Sequence, residues 1–139
     1  CALPIWRFEM TVELTMLFWA GVITVVQMVI AVLLAIGQLG MVPLIGNREG
    51  MGPPSEMAGR AKRAHSNMLE SLILFAILVL IVQLAGLNND LTALGAKIFV
   101  IARLIYAVVY LVGIPWLRTV VWSIAVVGMV MVALPIISA

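Results

Sequence analysis

The sequence predicts an all-α membrane protein: one domain, residues 1–139, folded as a bundle of four transmembrane helices. Two observations carry this. The chain is 65% hydrophobic and only 10% charged, with a mean hydropathy of +1.24, whereas soluble domains hold roughly 45–50% apolar and about 25% charged residues. The apolar residues also fall into four runs, each near the roughly 20 residues that cross a bilayer. Glycine, proline and asparagine break the chain between them. A net charge of +2 offers no basic surface for nucleic acid. The one cysteine, Cys1, has no partner for an intramolecular disulfide.

In chain order, residues 1–10 read as a lead-in, with Pro4, Trp6 and Arg7 of the kind found at a membrane interface. Met10 is a candidate internal start. The first span covers about 12–39, capped near Thr11, with Glu13 in the turn where the helix dipole favours negative charge. Gln27 and Gln38 lie eleven residues apart, near one face, and Gln27 reads as an inter-helix hydrogen bond. Residues 40–59 form a loop rich in glycine and proline. Ser55 follows Pro53 and Pro54 as the N-cap of a helix running from about Glu56 to Leu87, of which about 66–87 lies in lipid. A turn at Asn88, Asn89 and Asp90 leads to a third span at about 91–112. A second turn at Gly113, Ile114 and Pro115 leads to a fourth at about 117–137. Short turns make these neighbours antiparallel. With four spans, Arg48, Arg60, Lys62, Arg63 and Arg118 share one side, against Arg7 and Lys97 on the other. The positive-inside rule then puts the long loop in the cytoplasm and both termini outside.

One stretch breaks the apolar pattern. Residues 60–70, RAKRAHSNMLE, open the second helix with Arg60, Arg63, Asn67 and Glu70 at offsets 0, 3, 7 and 10, on one face. A polar stripe entering lipid is costly and marks a site or a packed polar seam. On the third span Arg103, Tyr106 and Tyr110 repeat the offsets 0, 3 and 7, and Arg118 and Thr119 open the fourth span on the same side of the membrane. Arg103 stands nine residues above Val112, roughly 14 Å into the helix at 1.5 Å per residue. A lone arginine at that depth costs at least about 2.5–3.5 kcal/mol and requires an anionic partner. Two readings stay open: an ion pair between Glu70 and Arg103 that ties two helices, or an anionic ligand gripped by several guanidinium groups. Arg60, Lys62 and Arg63 also suit a third role, as anchors on lipid head groups. His65 points away from the stripe and has no metal-ligating companions, so the sequence offers no metal site. No Ser–His–Asp set and no phosphate loop is present.

These motifs resemble the MAPEG family, the membrane-associated proteins in eicosanoid and glutathione metabolism. The family's second helix carries R-x-x-R-A-[HQ]-x-N-x-x-E, matched by Arg60, Arg63, Ala64, His65, Asn67 and Glu70. Its third carries A-R-x-x-Y-x-x-x-Y, matched by Ala102, Arg103, Tyr106 and Tyr110. Its fourth opens on an arginine followed by a small residue, matched by Arg118 and Thr119. The loop with its paired prolines and the segment GIPWLRT look most like the bacterial branch.

The resemblance implies a homotrimer of four-helix bundles in a bacterial inner membrane. It implies a cleft between subunits that takes glutathione as thiol co-substrate, and a glutathione S-transferase or peroxidase acting on lipophilic electrophiles or lipid hydroperoxides. It also implies that Arg60, Arg63, Asn67, Glu70, Arg103, Tyr106 and Tyr110 hold the tripeptide. Arg118 would stabilise the thiolate, with the Thr119 hydroxyl as a second donor. One departure is visible. Family members that use glutathione carry a basic residue just after the glutamine that ends the first helix, whereas Gln38 is followed by Leu39, Gly40, Met41 and Val42. The alternative reading is therefore a non-catalytic structural or accessory subunit, or a lipid-binding member, of a larger membrane complex.

Overall fold

A computed structural model describes residues 9–139. The interface residues Pro4, Trp6 and Arg7, and Cys1, lie outside them. The chain forms α1 (Val12–Leu39), α2 (Val42–Ile45), α3 (Glu56–Ala85), α4 (Asp90–Val112) and α5 (Pro115–Ser138). All except α2 are long and apolar enough to cross a membrane. Four spans were expected; α1 covers 12–39 and α3 begins at Glu56, as expected, and the remaining helix ends lie within two residues of the expected ones, for local reasons. The α3 helix starts at Glu56 because Ser55 caps it: its Oγ accepts from the Ala58 N–H at 3.2 Å. It ends at Ala85 because Gly86 takes a left-handed φ of 66°, and the Leu87 N–H turns back to the Val82 carbonyl at 2.9 Å. The α4 helix begins with a capping box between Asn89 and Thr92. The α5 helix begins at Pro115, where a fixed φ and a missing N–H cost nothing. The short α2 inside the glycine-rich loop was not expected. It is one turn on Val42, Pro43, Leu44 and Ile45.

Helix ends meet as the short turns require. At one end the Thr11 hydroxyl, which also caps α1, donates to Gln83 Oε1 at 2.8 Å, and the Thr92 hydroxyl donates to the buried Glu13 carboxylate. This end joins the start of α1, the end of α3 and the start of α4. At the other end the N-terminal turns of α3 meet the end of α4. The α1 helix packs on α3 and α4, and α5 packs on α4 and α3. Between helices in lipid, shape decides packing, because tails are as apolar as leucine. The tightest crossing is α4 on α5, at Gly95 and Gly128. A Cβ on Gly95 would lie 2.6 Å from the Gly128 carbonyl oxygen, and one on Gly128 would lie 2.7 Å from that of Gly95. Phe75 and Phe99 stack in the centre, with centroids 4.1 Å apart and planes 17° apart, and both are fully buried.

The two glutamines on α1 do not share a role. Gln27 is buried, and among the described residues neither amide atom has a hydrogen-bond partner, so the expected inter-helix bond is absent there. Gln38 instead fastens the loop: its Nε2 donates to the Pro53 carbonyl at 3.2 Å and its Oε1 accepts from the Ser55 N–H.

Candidate functional site

The polar face of α3 meets α4 one turn at a time. Arg60, at the first turn, forms an ion pair with Glu56 and donates from Nη1 to the Leu111 carbonyl at 3.4 Å. A cation here complements the partial negative charge at the C-terminus of α4, which has no basic residue in its own last turn. Gly113, in the left-handed region at φ 87°, makes room for it: a Cβ there would lie 2.8 Å from Arg60 Nη1. One turn on, Arg63 Nε donates to the Tyr110 hydroxyl at 3.2 Å. One turn deeper, Asn67 Oδ1 accepts from Arg103 Nη2 at 2.8 Å. Helical spacing on both elements makes this ladder, and the antiparallel pairing fixes its register.

Arg103 is the deepest charge. Its side chain has no exposed surface. Beyond Asn67, its Nε donates to Met68 Sδ at 3.4 Å, and its guanidinium carbon lies 4.3 Å from the Tyr106 ring centroid. Nη1 is buried with no partner. Of the two readings left open by the sequence, the ion pair with Glu70 does not form: Glu70 is exposed, and among the described residues the one ion pair is Arg60 with Glu56. Arg103 therefore holds a charge in the bundle against an amide, a thioether and an aromatic face, with one donor left over. The sequence did not point to Met68 as a partner, since a methionine at a core spacing carries no polar signal.

Two tyrosines lead from Arg103 toward the C-terminal end of α4. The Tyr106 and Tyr110 rings lie 5.6 Å apart at 55°, and the Arg118 guanidinium carbon sits 4.7 Å from the Tyr110 centroid. Tyr106 is buried, whereas Tyr110 and Arg118 are half-buried. The result is a cation–aromatic series, Arg103, Tyr106, Tyr110 and Arg118, flanked by Arg63 and Asn67. Such a wall offers guanidinium donors for carboxylates and ring faces for apolar or sulfur-bearing groups. Thr119 is exposed, and its hydroxyl donates to the Pro115 carbonyl at 3.4 Å, within its own helix. Of the nine residues singled out from the sequence, Arg63, Asn67, Arg103, Tyr106, Tyr110 and Arg118 are joined by contacts, and Arg60 instead holds Glu56 and the Leu111 carbonyl. Glu70 and Thr119 lie beside them without joining. His65 faces away, as expected, with its Nδ1 buried and unpaired.

A family model, the MAPEG family, matches residues 16–138. No curated protein matches the chain, and no solved structure does.

Proposed function

The chain belongs to the MAPEG family, and on that premise we propose that it is a membrane-bound glutathione S-transferase or peroxidase acting on lipophilic electrophiles or lipid hydroperoxides. Members of this family use glutathione and are generally trimeric, and the proposed working form is a homotrimer in a bacterial inner membrane, with the long loop cytoplasmic and both termini outside. The observation that carries the reading is Arg103. A fully buried guanidinium with no acidic partner and one unpaired donor is an expensive group in a membrane, and an anionic ligand offsets that expense.

In this reading Arg63, Asn67, Arg103, Tyr106 and Tyr110 hold the tripeptide. Glu70, exposed on the same face, meets its amino group, and Arg60 braces the wall from below. Arg118 sits at the open end, where its charge favours the thiolate over the thiol. For conjugation, the thiol proton leaves to water, and the thiolate sulfur bonds to the electrophilic carbon as the leaving group departs or the double bond takes up a proton. For peroxide reduction, one thiolate bonds to the terminal peroxide oxygen as the O–O bond breaks, leaving a sulfenic acid on the sulfur and an alkoxide that takes a proton from water and departs as the alcohol. A second glutathione then displaces water and forms the disulfide. Thr119, if its hydroxyl turns from Pro115, adds a second donor to the sulfur.

The test uses purified protein in detergent. Saturable glutathione binding and turnover of a chromogenic electrophile are expected, with Arg118→Ala losing turnover while retaining binding. Absence of saturable binding, together with unchanged turnover in Arg118→Ala, defeats the proposal. It would favour the second reading, an accessory or lipid-binding subunit. That reading draws on Gln38, whose amide is taken up by the loop and is followed by no base.

A further inference from the structure

A cavity opens between α1 and α4, with α3 as its floor. It has a volume of about 470 Å³, within the range of small-molecule pockets, about 300–1,000 Å³. On α4 it runs from Val100 to Leu111, about 16 Å at 1.5 Å per residue. At about 100° per residue these α4 positions sit roughly a third of a turn round from Arg103, Tyr106 and Tyr110, so the cavity faces a different side of α4 from the candidate site. Small side chains make the space: Ala61 and Ala64 on α3 and Ala107 on α4. Trp19, Val26, Leu104 and Val108 form the rim, each about half exposed. Among the described residues no charged side chain lines the cavity, and apart from the Trp19 indole its only polar side chain is Gln27.

Gln27 is only 7% exposed, and among the described residues neither amide atom has a partner. It lies near the midpoint of α1, about 18 Å from the Leu39 end. With α1 centred on a hydrocarbon core roughly 30 Å thick, that is about 12 Å into the loop-side leaflet. An unpaired amide at that depth is costly. Water does not relieve it, because a buried water needs further polar partners and the rest of the wall is apolar. A carboxamide presents a donor and an acceptor side by side, and a hydroxyl also both donates and accepts. One hydroxyl therefore meets both needs: it donates to Gln27 Oε1 and its oxygen accepts from Nε2. A ketone would serve Nε2 alone. The apolar wall continues past Gln27 in both directions, to Trp19 and to Ile30, so the hydroxyl belongs within a chain and not at its end. At the loop-side end, Ala61 and Leu111 line the cavity, and the neighbouring Arg60 donates to the Leu111 carbonyl. Its partner Glu56 is exposed, and exposed ion pairs contribute little, so another carboxylate can take the place of Glu56. We propose that this cavity binds a fatty acid hydroxylated in the second half of its chain. The carboxylate lies at Arg60, the hydroxyl on Gln27 and the methyl end toward Trp19.

The experiment uses the full chain in phosphatidylcholine nanodiscs. The probe is octadecanoic acid with a hydroxyl two-thirds along the chain and a diazirine at the methyl end. The same acid without the hydroxyl is the comparison. After illumination, peptide mapping is expected to place the adduct between Trp19 and Ile23. A hydrogen bond between neutral groups contributes about two- to tenfold, so with two bonds the hydroxy acid should label about tenfold better than the plain acid. Gln27→Leu removes an amide that has no partner to lose, so the fold should survive. This variant should label equally with both acids. Ala107→Leu fills the cavity without touching Gln27, and should abolish labelling by both. Equal labelling by the two acids in the parent protein overturns the proposal, as does a hydroxyl preference that persists in Gln27→Leu. Adducts spread evenly over the lipid-facing helices overturn it as well. So does labelling seen only when the hydroxylated chain is carried by phosphatidylcholine, which would give the cavity to a membrane phospholipid. Absence of any adduct between Trp19 and Ile23 also overturns it.

Discussion

Replacing Arg103 by methionine separates a structural arginine from a ligand-binding one. Methionine keeps the unbranched length and removes the charge. In the ligand-free protein two sets of effects oppose each other. Burying the guanidinium costs at least about 2.5–3.5 kcal/mol. The bond to Asn67 returns about 1.5–3 kcal/mol, as hydrogen bonds to charged groups do, and the Tyr106 face returns about 0.5–2 kcal/mol. These nearly cancel, so Arg103→Met should change ligand-free stability by no more than about 1 kcal/mol, in keeping with the near-neutral replacement of buried ions by apolar residues. Asn67→Ala is different: it leaves the charge in place without its best acceptor, and should destabilise by about 1.5–3 kcal/mol. Affinity should respond in the opposite order. Loss of the free Nη1 donor removes a charge-assisted bond to the ligand, and Arg103→Met should weaken glutathione binding by about tenfold to a hundredfold. Thermal unfolding in detergent, with and without glutathione, measures both quantities. If Arg103→Met costs 3 kcal/mol or more while glutathione stabilises variant and parent alike, Arg103 is a strut and the reasoning fails.

Further outcomes follow from particular contacts. Gly95→Ala and Gly128→Ala should each destabilise by about 1–3 kcal/mol, since the new methyl group meets a carbonyl oxygen at 2.6–2.7 Å. Gly21→Ala, with nothing within 4 Å, should instead gain about 0.5–1 kcal/mol. The same thermal melts check all three. Arg60→Ala removes a cation from the end of α4, and should lower stability by about 0.3–1 kcal/mol while affecting glutathione affinity less than Arg63→Ala does. Equilibrium dialysis of the two variants decides this. Thr92→Val strands the buried Glu13 carboxylate and should cost about 1–3 kcal/mol, read as a lower midpoint of chemical unfolding.

Much of this molecule was legible before its structure because a membrane limits the choices. In lipid every backbone group must be satisfied within its own segment, so long apolar runs can only be helices, and the glycine, proline and asparagine breaks mark where they end. Caps such as Thr11, Ser55 and Asn89 use local hydrogen bonds and are readable from a few neighbouring residues. The faces Arg60, Arg63, Asn67 and Arg103, Tyr106, Tyr110 were readable for the same reason, as helical periodicity is a property of one segment.

What the sequence could not supply is how two segments meet. The partner of Arg103 depends on the axial register of α3 against α4. A shift of one turn, about 5.4 Å, separates Asn67 from Glu70, and charge alone favoured the glutamate. The register is set by packing, including the Phe75 and Phe99 stack between α3 and α4, and such shape complementarity leaves no periodic signal. The same holds for Gln27, whose amide the bundle buries without a partner among the described residues. Composition and periodicity thus determine that there are four helices and which faces are polar. The tertiary structure decides which polar groups touch, because contact distances of about 3 Å are set by the fit of distant segments.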